Sequence, residues 1–241
     1  MMPLDYLIIK TLKRGADALS ETSRDSICNY VTSQMTDNSS FMNRAGKEDL
    51  YYTMFGWMLC YSLNIKTDKV HRKNYLAGID VSALDSLHKK VYQQCLLLDD
   101  LFSHGLLLAG IKHIGERNHI EEFFSEFNQH TVTKTLNGTA AELFVRRNEI
   151  SQIEKAEQLM QISSLQDETG GFYQNEVAQI PDLLSTAVAL FTLSSFGMKP
   201  RYKYSDFIEA HFNDDGSFAP NLIDLQGDVE YCFYGLLALG S

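Results

Sequence analysis

One pattern recurs along this chain and limits what it can fold into: a turn, an aromatic, a short loop, then an aspartate opening an apolar helix. Gly170-Gly171-Phe172 precedes Pro181-Asp182-Leu183, and Asp215-Gly216-Ser217-Phe218 precedes Gly227-Asp228-Val229. Phe172 and Phe218 lie 46 residues apart, as do Asp182 and Asp228. A looser copy runs from Phe41 to Asp49-Leu50-Tyr51-Tyr52-Thr53. A fixed period of this length marks an array of helix-pair units, each unable to bury its apolar face alone. Stacked pairs form an open solenoid or, if the curvature closes, a double ring with one set of helices inside.

The text between these landmarks is helical. Leu183, Ala187, Leu190 and Phe191 have helical spacing, with Gly197 as a stop and Pro200 beyond it. Segments 50–63 and 229–239 are apolar nearly all round, as inner helices would be. Segments 151–160 and 204–212 alternate apolar and charged positions with a period near 3.6, as outer, half-wet helices would. A first outer helix is expected over 23–35, and helical pattern over 81–110 and 119–129. No strand signal stands out, since Asn137-Gly138 is not flanked by period-2 runs. The expectation is an all-α protein, an α/α array of about five repeats in one domain over 1–241, clearest at 20–65, 150–197 and 200–241.

Charge narrows the partners. With 21 Lys and Arg against 31 Asp and Glu, the formal charge is -10, which repels a nucleic-acid backbone. The first ten residues lack the long apolar stretch and small-residue cleavage site of a signal peptide, and no uncharged run approaches the roughly 18 residues a membrane span needs. Cys28, Cys60, Cys95 and Cys232 form no CxxC pair. They read as reduced, mostly buried thiols of a cytoplasmic protein.

Gln166-x-x-x-Gly170-x-Phe172 and the run from Asp228 to Gly240 resemble the repeat shared by protein prenyltransferase β subunits and squalene-type terpene cyclases. Residues 49–56 and 182–197 look like further copies. The resemblance covers 150–241 well and 20–65 fairly, and implies an α/α toroid with inner helices around an apolar cavity. Physical reasoning gives Asp49, Asp182 and Asp228 a simpler task. An aspartate before a helix accepts hydrogen bonds from its first amides and faces the positive end of its dipole, so all three read as caps.

The chemistry of the resembled enzymes is missing from their motif positions. Zinc-dependent prenyltransferases place Arg, Lys, Cys and Tyr around one such aspartate, where this chain has Glu176, Gln179, Leu184 and Ser185. Their later histidine falls on Tyr231, so a single carboxylate would remain to hold zinc. A clamp with Glu176 and Gln179 in place of cations would not hold diphosphate. No Asp-x-Asp-Asp run of the cyclases occurs. Asp99-Asp100 reads as a solvated helix face and Asp214-Asp215 as a turn. Cys95 with Asp99, Asp100 with His104, and His113 with Glu116 have spacings that could bring ligands together, but the glycines at 105, 110 and 115 interrupt that segment. Neither metal nor cofactor is expected.

What remains is an aromatic set on the inner helices. Tyr52, Phe55, Tyr231 and Tyr234 are the candidate ligand-binding residues, offering apolar faces with polar tips. The reading is a toroid that binds an isoprenoid or lipid-like molecule, or an apolar peptide segment, in its central cavity. The alternative is an enzyme acting on such a substrate through cavity carboxylates of the central repeats. A polysaccharide-cleaving barrel would need paired carboxylates in a polar cleft, unlike this apolar text. Finally, residues 3–19 form an extra segment expected to pack beside the last repeat and close the ring.

Overall fold

The computed structural model describes residues 4–112 and 135–241, with side chains at all of these except 105–112. The expected helix over 119–129 and the His113–Glu116 spacing lie outside the described residues. Among the described residues the chain forms ten α-helices: α1 (Leu4–Ala18), α2 (Glu21–Ser33), α3 (Leu50–Leu63), α4 (Lys69–Ala77), α5 (Ser86–Lys112), α6 (Leu136–Val145), α7 (Gln152–Ser164), α8 (Leu183–Ser195), α9 (Ser205–Ala210) and α10 (Val229–Gly240). Helix α5 is preceded by a short 3-10 turn at Val81–Ala83. None of the described helices is long and apolar enough to cross a membrane.

Burial separates the helices into two classes. Nearly every residue of α3, α8 and α10 is buried, whereas α2, α7 and α9 bury a narrow stripe and expose the rest. Helix α8 packs on α6 and on α10, and α10 returns to α3, which packs on α5. The first and last inner helices therefore touch. Helix α1 packs against both α10 and α3, as expected of the amino-terminal segment. Its approach to α10 is close because glycines face backbone: a Cβ at Gly15 would strike the Leu236 carbonyl, and one at Gly240 the Thr11 carbonyl.

The repeat unit is finer than its letters. Before the aromatic, three turns close in the same way: Ser39 N donates to Thr36 O, Gly170 N to Asp167 O and Gly216 N to Asn213 O. The residue two before each aromatic is left-handed, with φ of 59° at Ser39, 95° at Gly170 and 88° at Gly216. Glycine enters this region freely, whereas a side chain costs roughly 1 kcal/mol there. The first copy looked loose because a serine carries the strain. Its hold is reinforced by the Trp57 indole, which donates to the Ser39 carbonyl at 2.6 Å.

The absence of strand signals needs correcting in one detail. Each aromatic pairs backbone to backbone with its capping aspartate, as Phe41 with Asp49, Phe172 with Asp182 and Phe218 with Asp228. In the first copy this extends to a two-residue ladder, β1 (Phe41–Met42) with β2 (Glu48–Asp49). Such ladders are too short for a period of 2 to show in the sequence. The aromatic's own amide is held by the side chain four residues past the aspartate. Phe41 N donates to Thr53 Oγ1 and Phe172 N to Thr186 Oγ1, both at 2.9 Å. In the last copy the acceptor is the buried Cys232 thiol, which receives the Phe218 amide.

Two more expectations change. Asp99 is not solvated: it is 8% exposed and accepts from Arg72 of α4 through Nε and Nη2, each at 2.9 Å. The guanidinium lies against Phe102, 4.5 Å from its ring centroid, and also bonds Thr67. Two charges buried together tolerate an environment neither would accept alone. The first outer helix is Glu21–Ser33, capped by Ser20, slightly ahead of the expected 23–35. Helix α8 matches its prediction, and Gly197 at φ 77° forms the C-terminal stop.

Candidate functional site at the meeting of the first and last inner helices

All three aspartates cap their helices, yet their surroundings differ. Asp182 is occupied by its own helix, accepting from Ser185 N and Ser185 Oγ at 2.7 Å each. Burial pushes its carboxyl upward. Asp49 accepts from Tyr51 N and Tyr52 N at 2.9 and 3.2 Å, and from Asn43 Nδ2. Asp228 accepts from Tyr231 N at 2.9 Å and reaches beyond its helix. Arg44, on the turn between β1 and β2, donates Nε to Asp228 Oδ2 at 2.6 Å, and Tyr52 Oη donates to the same oxygen at 3.4 Å.

Arg44 is the clasp of this seam. It also donates to Asp224 at 2.9 Å and to the Gln226 carbonyl at 2.8 Å, and its guanidinium lies 5.6 Å from the Tyr231 ring centroid. The two carboxylates raise its affinity for its proton despite partial burial. A planar fork with several donors suits this three-way hold, which a lysine could not copy.

Inside the clasp lies a carboxylate that caps nothing. Glu230, in the first turn of α10, accepts from Tyr51 Oη of α3 at 2.8 Å. Burial pushes its carboxyl up to about 7, with the charges of Asp228 and Asp49 acting in the same direction and the Tyr51 hydrogen bond and Arg44 opposing. Tyr51 is driven the same way: burial, then the neighbouring Tyr234 and Glu230, keep its hydroxyl protonated. A carboxyl near neutrality beside phenols can accept, hold or release a proton, or balance a cation.

The four sequence-predicted residues gather around this pair. Phe55 is 3% exposed, with its ring centroid 4.9 Å from those of Tyr51 and Phe233 and 6.0 Å from that of Tyr234. Tyr234 is 7% exposed and stands 6.1 Å from Tyr231. Tyr52 and Tyr231 are half-buried. Phe55 is thus mainly packing, and the three tyrosines bring polar tips to the seam. Sequence reasoning missed Glu230, Arg44 and the second task of Asp228. A signal existed in the repeat register, because Tyr51 and Glu230 both stand two residues past a capping aspartate.

Elsewhere the chemistry is sparse. Among the described residues no three His, Cys, Asp or Glu side chains gather as a metal set. His104 Nδ1 lies 3.9 Å from Asp100 Oδ1 on α5, and Cys95 is buried in the core. Tyr202 and Lys203 contribute to a half-open groove of about 540 Å³ between α9 and the loops before α8 and α10, outside the tyrosine cluster. The same stretch is tied to the preceding turn by Gln166, whose Oε1 accepts from Arg201 N and Tyr202 N and whose Nε2 donates to the Gly170 and Tyr202 carbonyls.

A family model described as the prenyltransferase alpha-alpha toroid domain matches residues 3–90 and 121–239. No curated protein and no solved structure matches the chain.

Proposed function

Because the chain belongs to the prenyltransferase α/α toroid family, we propose that it binds an apolar molecule, isoprenoid or lipid-like, or an apolar peptide segment, inside the ring. Its polar end would sit at the seam of α3 and α10. The observation that carries this reading is the convergence of Tyr51, Tyr52, Phe55, Tyr231 and Tyr234 from helices about 180 residues apart around a single non-capping acid. Aromatic walls with a few polar tips suit a mostly apolar ligand held in one orientation. The zinc and diphosphate motifs are replaced by residues of the wrong chemistry, which favours capture over prenyl transfer. A cytoplasmic location is part of this reading, supported by four cysteines that form no CxxC pair.

Native mass spectrometry of the freshly purified chain tests this: a bound apolar molecule is expected to co-purify, and both Tyr52→Ala and Tyr234→Ala are expected to abolish capture. Undiminished capture by the two variants would remove the site assignment.

One observation favours a second reading, an enzyme acting on an isoprenoid-like substrate. Glu230 is the kind of half-buried acid that proton transfer requires near neutral pH. Its place in the last copy differs from the central repeats where such acids were expected. Turnover of an isoprenoid that Glu230→Gln eliminates, with binding kept, would establish the enzyme; turnover untouched by that change would exclude Glu230 as its acid.

A further inference from the structure

Resting on the apolar-ligand reading, we infer that the seam of α3 and α10 selects ligands whose apolar tail ends in a protonated amine. Four carboxylates stand at the starts of the inner helices: Asp49, Asp182 and Asp228 as the caps of α3, α8 and α10, and Glu230 in the first turn of α10. The first three are held by helix amides as caps. The cation beside them, Arg44, lies over the Tyr231 ring and is consumed by Asp228, Asp224 and the Gln226 carbonyl. Among the described residues Glu230 keeps a carboxylate with one hydrogen bond, from Tyr51, where such a group can accept about four.

The second, independent observation is Tyr234. Its side chain is 7% exposed and stands 6.1 Å from the Tyr231 ring, and among the described residues its hydroxyl makes no hydrogen bond, although the charges of Glu230, Asp182 and Asp228 reach it. Buried phenols nearly always find a partner, so an unpaired one marks a place meant for something else. A ligand ammonium satisfies both groups at once. It donates one N–H to Glu230 and another to the Tyr234 oxygen, while the faces of Tyr51 and Tyr52 supply the attraction of aromatic rings for a cation. A phosphate or carboxylate head group would instead meet four acids with the nearest arginine already engaged. The same arrangement explains why the chain can lack cations at the positions where its relatives' motif would clamp diphosphate.

Binding of decylamine, decanol and decanoate to the full-length chain at pH 8, measured by calorimetry below their aggregation limits, is the test. Decylammonium is expected to bind about tenfold tighter than decanol, with decanoate weaker than either. Glu230→Gln should bring the preference for amine over decanol, each measured on that variant, down to about one, and Tyr234→Phe should lower the same ratio severalfold. Equal binding of amine and alcohol to the unmodified chain, or a preference for decanoate, overturns the amine inference and leaves the apolar cavity standing. If none of the three binds, the cavity reading fails and the inference falls with it. Should Glu230→Gln prove unfolded by circular dichroism, an amine preference that survives intact in Tyr234→Phe overturns the two-point hold.

Discussion

Helix α8 and the pair α3 and α10 are built on the same repeat, yet among the described residues it is the pair that brings a non-capping acid and tyrosines of both helices together. Two, three and six residues past the capping aspartate, α8 has Leu184, Ser185 and Val188; α3 has Tyr51, Tyr52 and Phe55; α10 has Glu230, Tyr231 and Tyr234. The shared parts are the cap, the aromatic pinned beside it and the acceptor four residues on, and these are matters of folding. The parts that differ are the ones that face each other where the ends of the array meet. Repeats constrain the backbone, and a site can be written into them by changing a few positions whose side chains leave the repeat's own hydrogen bonds intact.

The sharpest way to break that contrast is to remove the two caps separately. Asp182→Ala deletes hydrogen bonds made within one helix turn and is expected to cost about 1 kcal/mol, the usual loss for a cap. Asp228→Ala also takes from Arg44 one of its three acceptors, leaving Asp224 and the Gln226 carbonyl, and the arginine side chain is 32% exposed and therefore partly relieved by water. About 3 kcal/mol is expected there, below the full penalty of an orphaned buried charge. Urea denaturation at neutral pH decides: equal losses would mean that the seam adds nothing to the shared cap.

This contrast also marks how much could be read from the sequence. The caps, the ends of α8 and the apolar inner helices were legible because each depends on residues within one turn of one another. Glu230 with Tyr51 was not, being a pairing across 179 residues that only ring closure creates. Nor was Arg72 with Asp99, where the acid's neighbours in the chain gave no hint of its buried partner. Cys232 hid for a different reason: a thiol stands in for the threonine hydroxyl of Thr53 and Thr186, so the register was conserved in geometry but not in letters.

A second prediction sharpens the contrast through pH. Glu230 has an ordinary acid constant of 4.5 when unfolded and about 7 in the fold, so folding takes up a proton between those values. The stability this group contributes is complete below about pH 4.5 and is lost as pH rises to 7. Glu230→Gln, which can still accept from Tyr51, escapes that loss. It is expected to be more stable than the parent chain by about 2 kcal/mol at pH 8 and equal to it near pH 4.5. Thermal unfolding across this range reads the difference directly, and a gap that does not change with pH would show that Glu230 is not the titrating group.

The smallest effect expected concerns the copy that looked loosest. Ser39 holds the left-handed turn position that glycine occupies in the later copies, and its backbone is held there by the hydrogen bond from Trp57 to its carbonyl and by the pairing of Thr36 with Ser40. Ser39→Gly relieves a strain of roughly 1 kcal/mol but frees the unfolded chain, so a net gain of about 0.5 kcal/mol is expected. The reverse change is not symmetrical. A Cβ at Gly170 would press into the backbone of Lys203 and Tyr204, so Gly170→Ser should lose several times what Ser39→Gly gains. Where neighbouring backbone fills the space of a Cβ the turn demands glycine, whereas the first copy holds a buried serine at that place, and paired denaturation of the two variants measures how much of the glycine requirement is the turn and how much is its neighbour.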